Sequence, residues 1–76
     1  MGHHTLDARF LMCPMPVIRT QNRIGALTSG DTLEIIATDR GALVDIPAWC
    51  RVHGHRVLAT HEDRGEYRIT IKVGNG

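Results

Sequence analysis

The sequence predicts a two-layer α/β sandwich of order βαβαββ, a four-stranded mixed sheet with two helices on one face. Three observations carry this. Polar breaks at Thr28-Ser29-Gly30-Asp31, Asp39-Arg40-Gly41, Gly54 and Asp63-Arg64-Gly65 separate short pieces that are too brief for long helices. Two of the six pieces repeat apolar residues at helical spacing. The last alternates cleanly, with Tyr67, Ile69, Ile71 and Val73 set against Arg68, Thr70 and Lys72.

In chain order, residues 5–10 read as a first short strand. Residues 14–27 read as a helix whose stripe is Val17, Thr20, Ile24 and Leu27, with Arg19 and Arg23 on its flank. Residues 32–37 are a strand with Leu33, Ile35 and Ala37 on one face. Residues 42–53 return to helical spacing through Leu43, Ile46 and Cys50; Pro47 limits the regular part, which makes Asp45 a candidate N-cap. Residues 56–61 and 66–73 form a hairpin, with glycine after Asp63-Arg64 supplying a positive φ. A strand–helix–strand crossover is right-handed and makes its strands parallel, whereas the hairpin is antiparallel, so the sheet is mixed. Both helices can cover one face. The other would present Thr32, Glu34, Ile36, Arg68, Thr70 and Lys72, polar enough to meet water, so a monomer suffices.

At 76 residues the chain is expected to form a single domain over 1–76, close to the size at which a core barely holds itself together. Hydrophobic residues make up 42%, yet aromatics only 4%, so the core must rest on Ile, Leu, Val and Ala. A net charge of +1 provides no field for nucleic acid or anionic lipid. There is neither a membrane-length apolar run nor a leader pattern, which predicts a cytoplasmic protein without membrane contact. In that compartment Cys13 and Cys50, 37 positions apart, are not expected to pair, so each is judged on its own surroundings.

Cys13 lies in Met12-Cys13-Pro14-Met15-Pro16, between the first strand and the first helix. With Cys13 as N-cap, Pro14 falls at N1 and Pro16 at N3, where neither ring obstructs the helix. Together Pro14, Met15 and Pro16 then stiffen the first turn, and the Met15 N–H is expected to face the sulfur. That donor and the positive helix end would favour thiolate, the nucleophilic form. The bland alternative is a small apolar cap.

Several segments resemble one family. Leu6-Asp7-Ala8-Arg9 leads into Leu11-x-Cys13-Pro14-x-Pro16, and Gly30-Asp31-x-Leu33, Asp45-Ile46-Pro47-x-Trp49-Cys50 and Gly54-His55 follow in register. Spanning nearly the whole chain, these resemble the TusA (SirA-like) sulfur-carrier family. The resemblance implies the same βαβαββ fold. It also implies a sulfur relay in which Cys13 holds sulfane sulfur as a persulfide, taken from a cysteine desulfurase or rhodanese-like donor and passed to a DsrE-like acceptor. Such a protein is at most an accessory sulfurtransferase, without a substrate pocket or cofactor. Sequences of this kind usually carry glycine where this one has Phe10, and lysines where it has Gln21 and Asn22. Phe10, Ile18, Arg19 and Arg23 are the expected partner contacts, with Met15 and Ile18 an apolar pair beside the cysteine.

Cys50 reads as a buried, inert thiol; a resolving thiol or second sulfur site is the alternative. Cys50, His53 and His55 match no zinc spacing and lack a fourth ligand. Asp7, Asp39 and Asp45 read as turn or cap residues, and Trp49 as a core or rim aromatic. The competing function is a non-catalytic regulatory or RNA-binding module on the same fold, which near-zero charge and the scarcity of aromatics disfavour.

Overall fold

The computed structural model describes residues 2–74. In chain order it contains β1 (His3–Ala8), α1 (Met15–Ile24), β2 (Thr32–Ala37), α2 (Ala42–His53), β3 (Arg56–Asp63) and β4 (Glu66–Lys72). The sheet order is β1-β2-β4-β3. β1 and β2 are parallel, while β4 pairs antiparallel with both β2 and β3. The mixed two-layer α/β sandwich is therefore as the residue pattern predicts.

Its core comes from the inward positions of the two central strands. Leu33, Ile35 and Ala37 of β2 and Ile69 and Ile71 of β4 are fully buried, alongside Ile46 and Cys50 of α2. Each large aliphatic side chain so placed stabilises the fold by roughly 1.5–3 kcal/mol. From α1, Thr20 and Ile24 are buried and Val17 packs against the core, with Leu27 following the helix. The Thr20 hydroxyl is satisfied by donating to the Pro16 carbonyl at 2.8 Å. The outer positions Thr32, Glu34, Ile36, Arg68, Thr70 and Lys72 stay partly exposed, as their polarity requires. Among the described residues, no helix is long and apolar enough to cross a membrane.

Boundaries differ from expectation where side chains compete with the backbone ladder. β1 spans His3–Ala8 rather than 5–10, because the Arg9 N–H turns to the Asp7 carboxylate and Phe10 takes φ 65°. α1 ends at Ile24, after which Ala26 and Leu27 donate three residues back, to Arg23 and Ile24. α2 starts at Ala42 despite Pro47, so Asp45 is not its N-cap. The Leu43 N–H donates to Arg40, and those of Val44 and Asp45 to Gly41, which holds the first turn ahead of the proline. At the β3–β4 hairpin both Arg64 (φ 53°) and Gly65 (φ 81°) are left-handed, the twist that a two-residue connection prefers.

Candidate functional site

The β1 and β2 strands run parallel in register, with Ala8 opposite Ala37, so the loops leaving them emerge side by side at one edge of the sheet. The loop after β1 carries Cys13. The loop after β2 supplies Thr38 and Asp39, and α2 begins directly behind it.

This neighbourhood pins the cysteine loop through backbone donors. The Phe10 N–H donates to Thr38 Oγ1 at 2.8 Å, and the Cys13 N–H to Asp39 Oδ2 at 2.9 Å. Asp39 is itself braced, its Oδ1 accepting the Gly41 N–H at 3.1 Å. Between these anchors Leu11 packs against the core. The loop's one cation, Arg9, is engaged by Asp7 at 2.9 Å and Glu66 at 3.4 Å. That contact holds the Asp7 carboxyl down at about 2.

The helix start departs from expectation by one residue. Met15 is the first helical residue, Pro14 takes the cap position and makes no side-chain cap bond, and the Cys13-Pro14 peptide is cis. The Met15 N–H closes a turn onto the Met12 carbonyl at 2.8 Å, so it does not face the sulfur. Instead the thiol is exposed and donates to Asp45 Oδ2 at 3.4 Å. The electrostatic expectation is therefore reversed. Asp45, by accepting the S–H, pushes the thiol above its ordinary value, and partial desolvation and the charges of Asp45 and Asp39 add to the effect. A fixed helix dipole acts only as a partial charge, whereas two carboxylates bring full ones.

Around the sulfur the surface is apolar. Phe10 is 86% exposed, Met12 77% and Ile18 39%, while Met15 is half-buried. Arg19 is exposed and Arg23 half-buried on the same helix, and Pro16 is buried under it. A cavity of about 270 Å³ opens between Phe10, Leu11, Met12, Thr38 and Asp39. Phe10 occupies a left-handed conformation without burying its ring, a backbone cost of roughly 1–2 kcal/mol that packing does not offset. The residue reading picked out Phe10, Ile18, Arg19 and Arg23 but missed Met12, Thr38 and the role of Asp39. Parallel pairing of the first two strands was the available signal, because it forces their exit loops together.

Elsewhere the second thiol is closed off. Cys50 is fully buried on α2 and its thiol is pushed up to about 11 by desolvation. Trp49, next to it, lies partly exposed between two imidazoles, stacked on His53 at 4.6 Å and His55 at 5.2 Å. His55 Nδ1 accepts the Gly74 N–H at 2.9 Å, so the ring is committed to fastening the segment that follows β4. Among the described residues no group of three His, Cys, Asp or Glu side chains is placed to hold a metal ion.

Comparison with known proteins agrees with this arrangement. Residues 4–73 match the family model described as Sulfurtransferase TusA. YrkI of Bacillus subtilis, whose name makes it a candidate sulfur carrier, is 41% identical over 91% of this chain and 92% of its own length. YrkF of the same organism, similarly named, is 48% identical over 91% of this chain, which spans only 37% of that longer protein. The sulfur carrier protein TusA of Allochromatium vinosum is 36% identical over 88% of both chains. The crystal structure of a SirA-like protein from Desulfitobacterium hafniense superposes with a TM-score of 0.82, covering 95% of this chain and 99% of that one at 23% identity, a likeness of fold. With the family model matching almost the whole of this chain, the chain belongs to the TusA family.

Proposed function

We propose that this protein is a sulfur carrier of the cytoplasm that holds sulfane sulfur as a persulfide on Cys13 and relays it from a donor protein to an acceptor protein. The observation that carries the reading is the contrast between its thiols: Cys13 is exposed on a braced loop and Cys50 is sealed in the core. The names of its relatives support the same role. In loading, Cys13 sulfur attacks the outer sulfur of a donor persulfide. A new S–S bond forms at Cys13 as the donor's S–S bond breaks, and the donor leaves as a thiolate that recovers the proton Cys13 gives up. No oxidant is consumed, and the reverse exchange hands the sulfur on. A cysteine desulfurase or rhodanese-like enzyme is the donor class in this reading, and a DsrE-like protein the acceptor. The exposed Phe10, Met12 and Ile18 offer apolar docking area around the sulfur, with Arg19 and Arg23 at its margin.

The test is intact-mass analysis after incubation with cysteamine persulfide, whose ammonium group offsets its anionic sulfur. Wild type and Cys50→Ser each gain one sulfur that a reductant removes, and Cys13→Ser gains none. Sulfur uptake by Cys13→Ser, or none by wild type, refutes the assignment.

A further inference from the structure

Two carboxylates converge on the loop that carries one exposed thiol, and among the described residues neither Arg19 nor Arg23 of α1 forms an ion pair with them. Asp45 Oδ2 lies 3.4 Å from Cys13 Sγ, and Asp39 Oδ2 lies 2.9 Å from the Cys13 nitrogen. They reach the loop from α2 and from the β2–α2 connection respectively. Arg9 is paired with Asp7 and Glu66, and Arg40 makes no hydrogen bond or ion pair with either carboxylate among the described residues. The chain as a whole is at +1, so its net charge cannot produce a negative site; this pair does. Asp39 is held in place, since it also accepts the Gly41 N–H, and Asp45 lies in the first turn of α2.

From this geometry we infer that Asp39 and Asp45 are specificity residues, making Cys13 exchange sulfur with cationic partners and refuse small anionic sulfane donors such as thiosulfate. The inference rests on the carrier role above and narrows it to a class of sulfur source. An approaching dianion is repelled at the distance where the S–S bond must form. A sulfane sulfur presented beside a lysine or arginine brings its own counter-ion, which offsets both acids and frees the Cys13 proton. Charge of one sign at a reacting atom alters encounter rates by about 10- to 1000-fold, and salt weakens the effect. Once loaded, the terminal sulfur is itself anionic beside two carboxylates, which favours handing it to an acceptor that also brings positive charge.

The experiment compares two methanethiosulfonate reagents of similar size, one bearing trimethylammonium and one sulfonate, on Cys50→Ser protein so that only Cys13 reacts. Each rate is normalised to the same reagent's rate with 2-mercaptoethanol. The ratio of the two cancels the thiolate fraction, so it reports charge at the site alone. The expected ratio favours the cationic reagent by about tenfold or more at low salt. It falls as salt is added, and falls again in both Asp39→Asn and Asp45→Asn. A ratio near one in the parent protein, or a ratio that neither substitution alters, overturns the inference. Cysteamine persulfide and mercaptoacetate persulfide then test sulfur itself. Faster loading from the ammonium-bearing donor than from the carboxylate-bearing one supports charge selection, and equal loading from both refutes it. Loading from neither refutes the carrier reading while leaving the reagent ratio to decide the charge filter.

Discussion

Cys13 and Cys50 are both held as thiols, by opposite physical means. Cys13 is exposed and keeps its proton because Asp45 accepts it and Asp39 adds negative charge nearby. Cys50 keeps its proton because burial strips away the water a thiolate needs. The first restraint faces solvent, within reach of charges brought to the surface. The second yields only when the core opens. One chain thus keeps an accessible thiol and a sealed one in opposite surroundings.

The largest effect expected from this contrast is kinetic. At neutral pH a neutral alkylating reagent should modify Cys13 while Cys50 waits for an opening of the core, slower by about 10³-fold or more. Peptide mapping after timed quenching checks the order. Alkylation of Cys50 first would mean that α2 is not seated on the sheet as described.

Smaller, and specific to the buried thiol, is a stability effect. Cys50→Ser should lose about 1–3 kcal/mol by placing a hydroxyl in an apolar site, read from denaturant midpoints. Its pH dependence has a definite sign. The folded thiol, pushed up to about 11, keeps a proton that an unfolded cysteine loses near its ordinary value of 9.0. Across that window the unfolded state binds fewer protons, so wild-type stability falls as pH rises from about 9 toward 11. The decline attributable to Cys50 should vanish in Cys50→Ala, and its persistence there would assign it to other groups.

The smallest expected change sharpens the exposed side. In Asp45→Asn the pH midpoint for alkylating Cys13 should move down, because a carboxylate that accepts the S–H is replaced by a neutral amide. The midpoint is followed with a neutral reagent, so no charge on the probe contributes. An unmoved or raised midpoint would place the control of Cys13 elsewhere than Asp45.

The difference between the thiols also marks how far the residues could be read in order. Leu33, Ile35, Ile69 and Ile71 alternate with polar neighbours, and a period of two leaves a half-buried strand only one way to face. Likewise Leu43, Ile46 and Cys50 share one side of a helix, so Cys50 had to turn inward once α2 packed. Cys13 was legible as the exposed cysteine at a strand-to-helix junction, but its electrostatic surroundings were not. Reasoning along the chain could see only local groups, the Met15 N–H and the end of α1.

What the sequence determined by itself was therefore the set of elements, the apolar stripes that make the core and the identity of the accessible cysteine, all consequences of periodicity and near neighbours. What only the tertiary structure decided was the environment of that cysteine. Asp39 and Asp45 lie 26 and 32 positions away along the chain, and parallel pairing of β1 with β2 brings them to the sulfur. Electrostatic energy depends on distance through space, and at 3.4 Å a full carboxylate charge outweighs the partial charge of a helix end whose nearest N–H is spent on a turn.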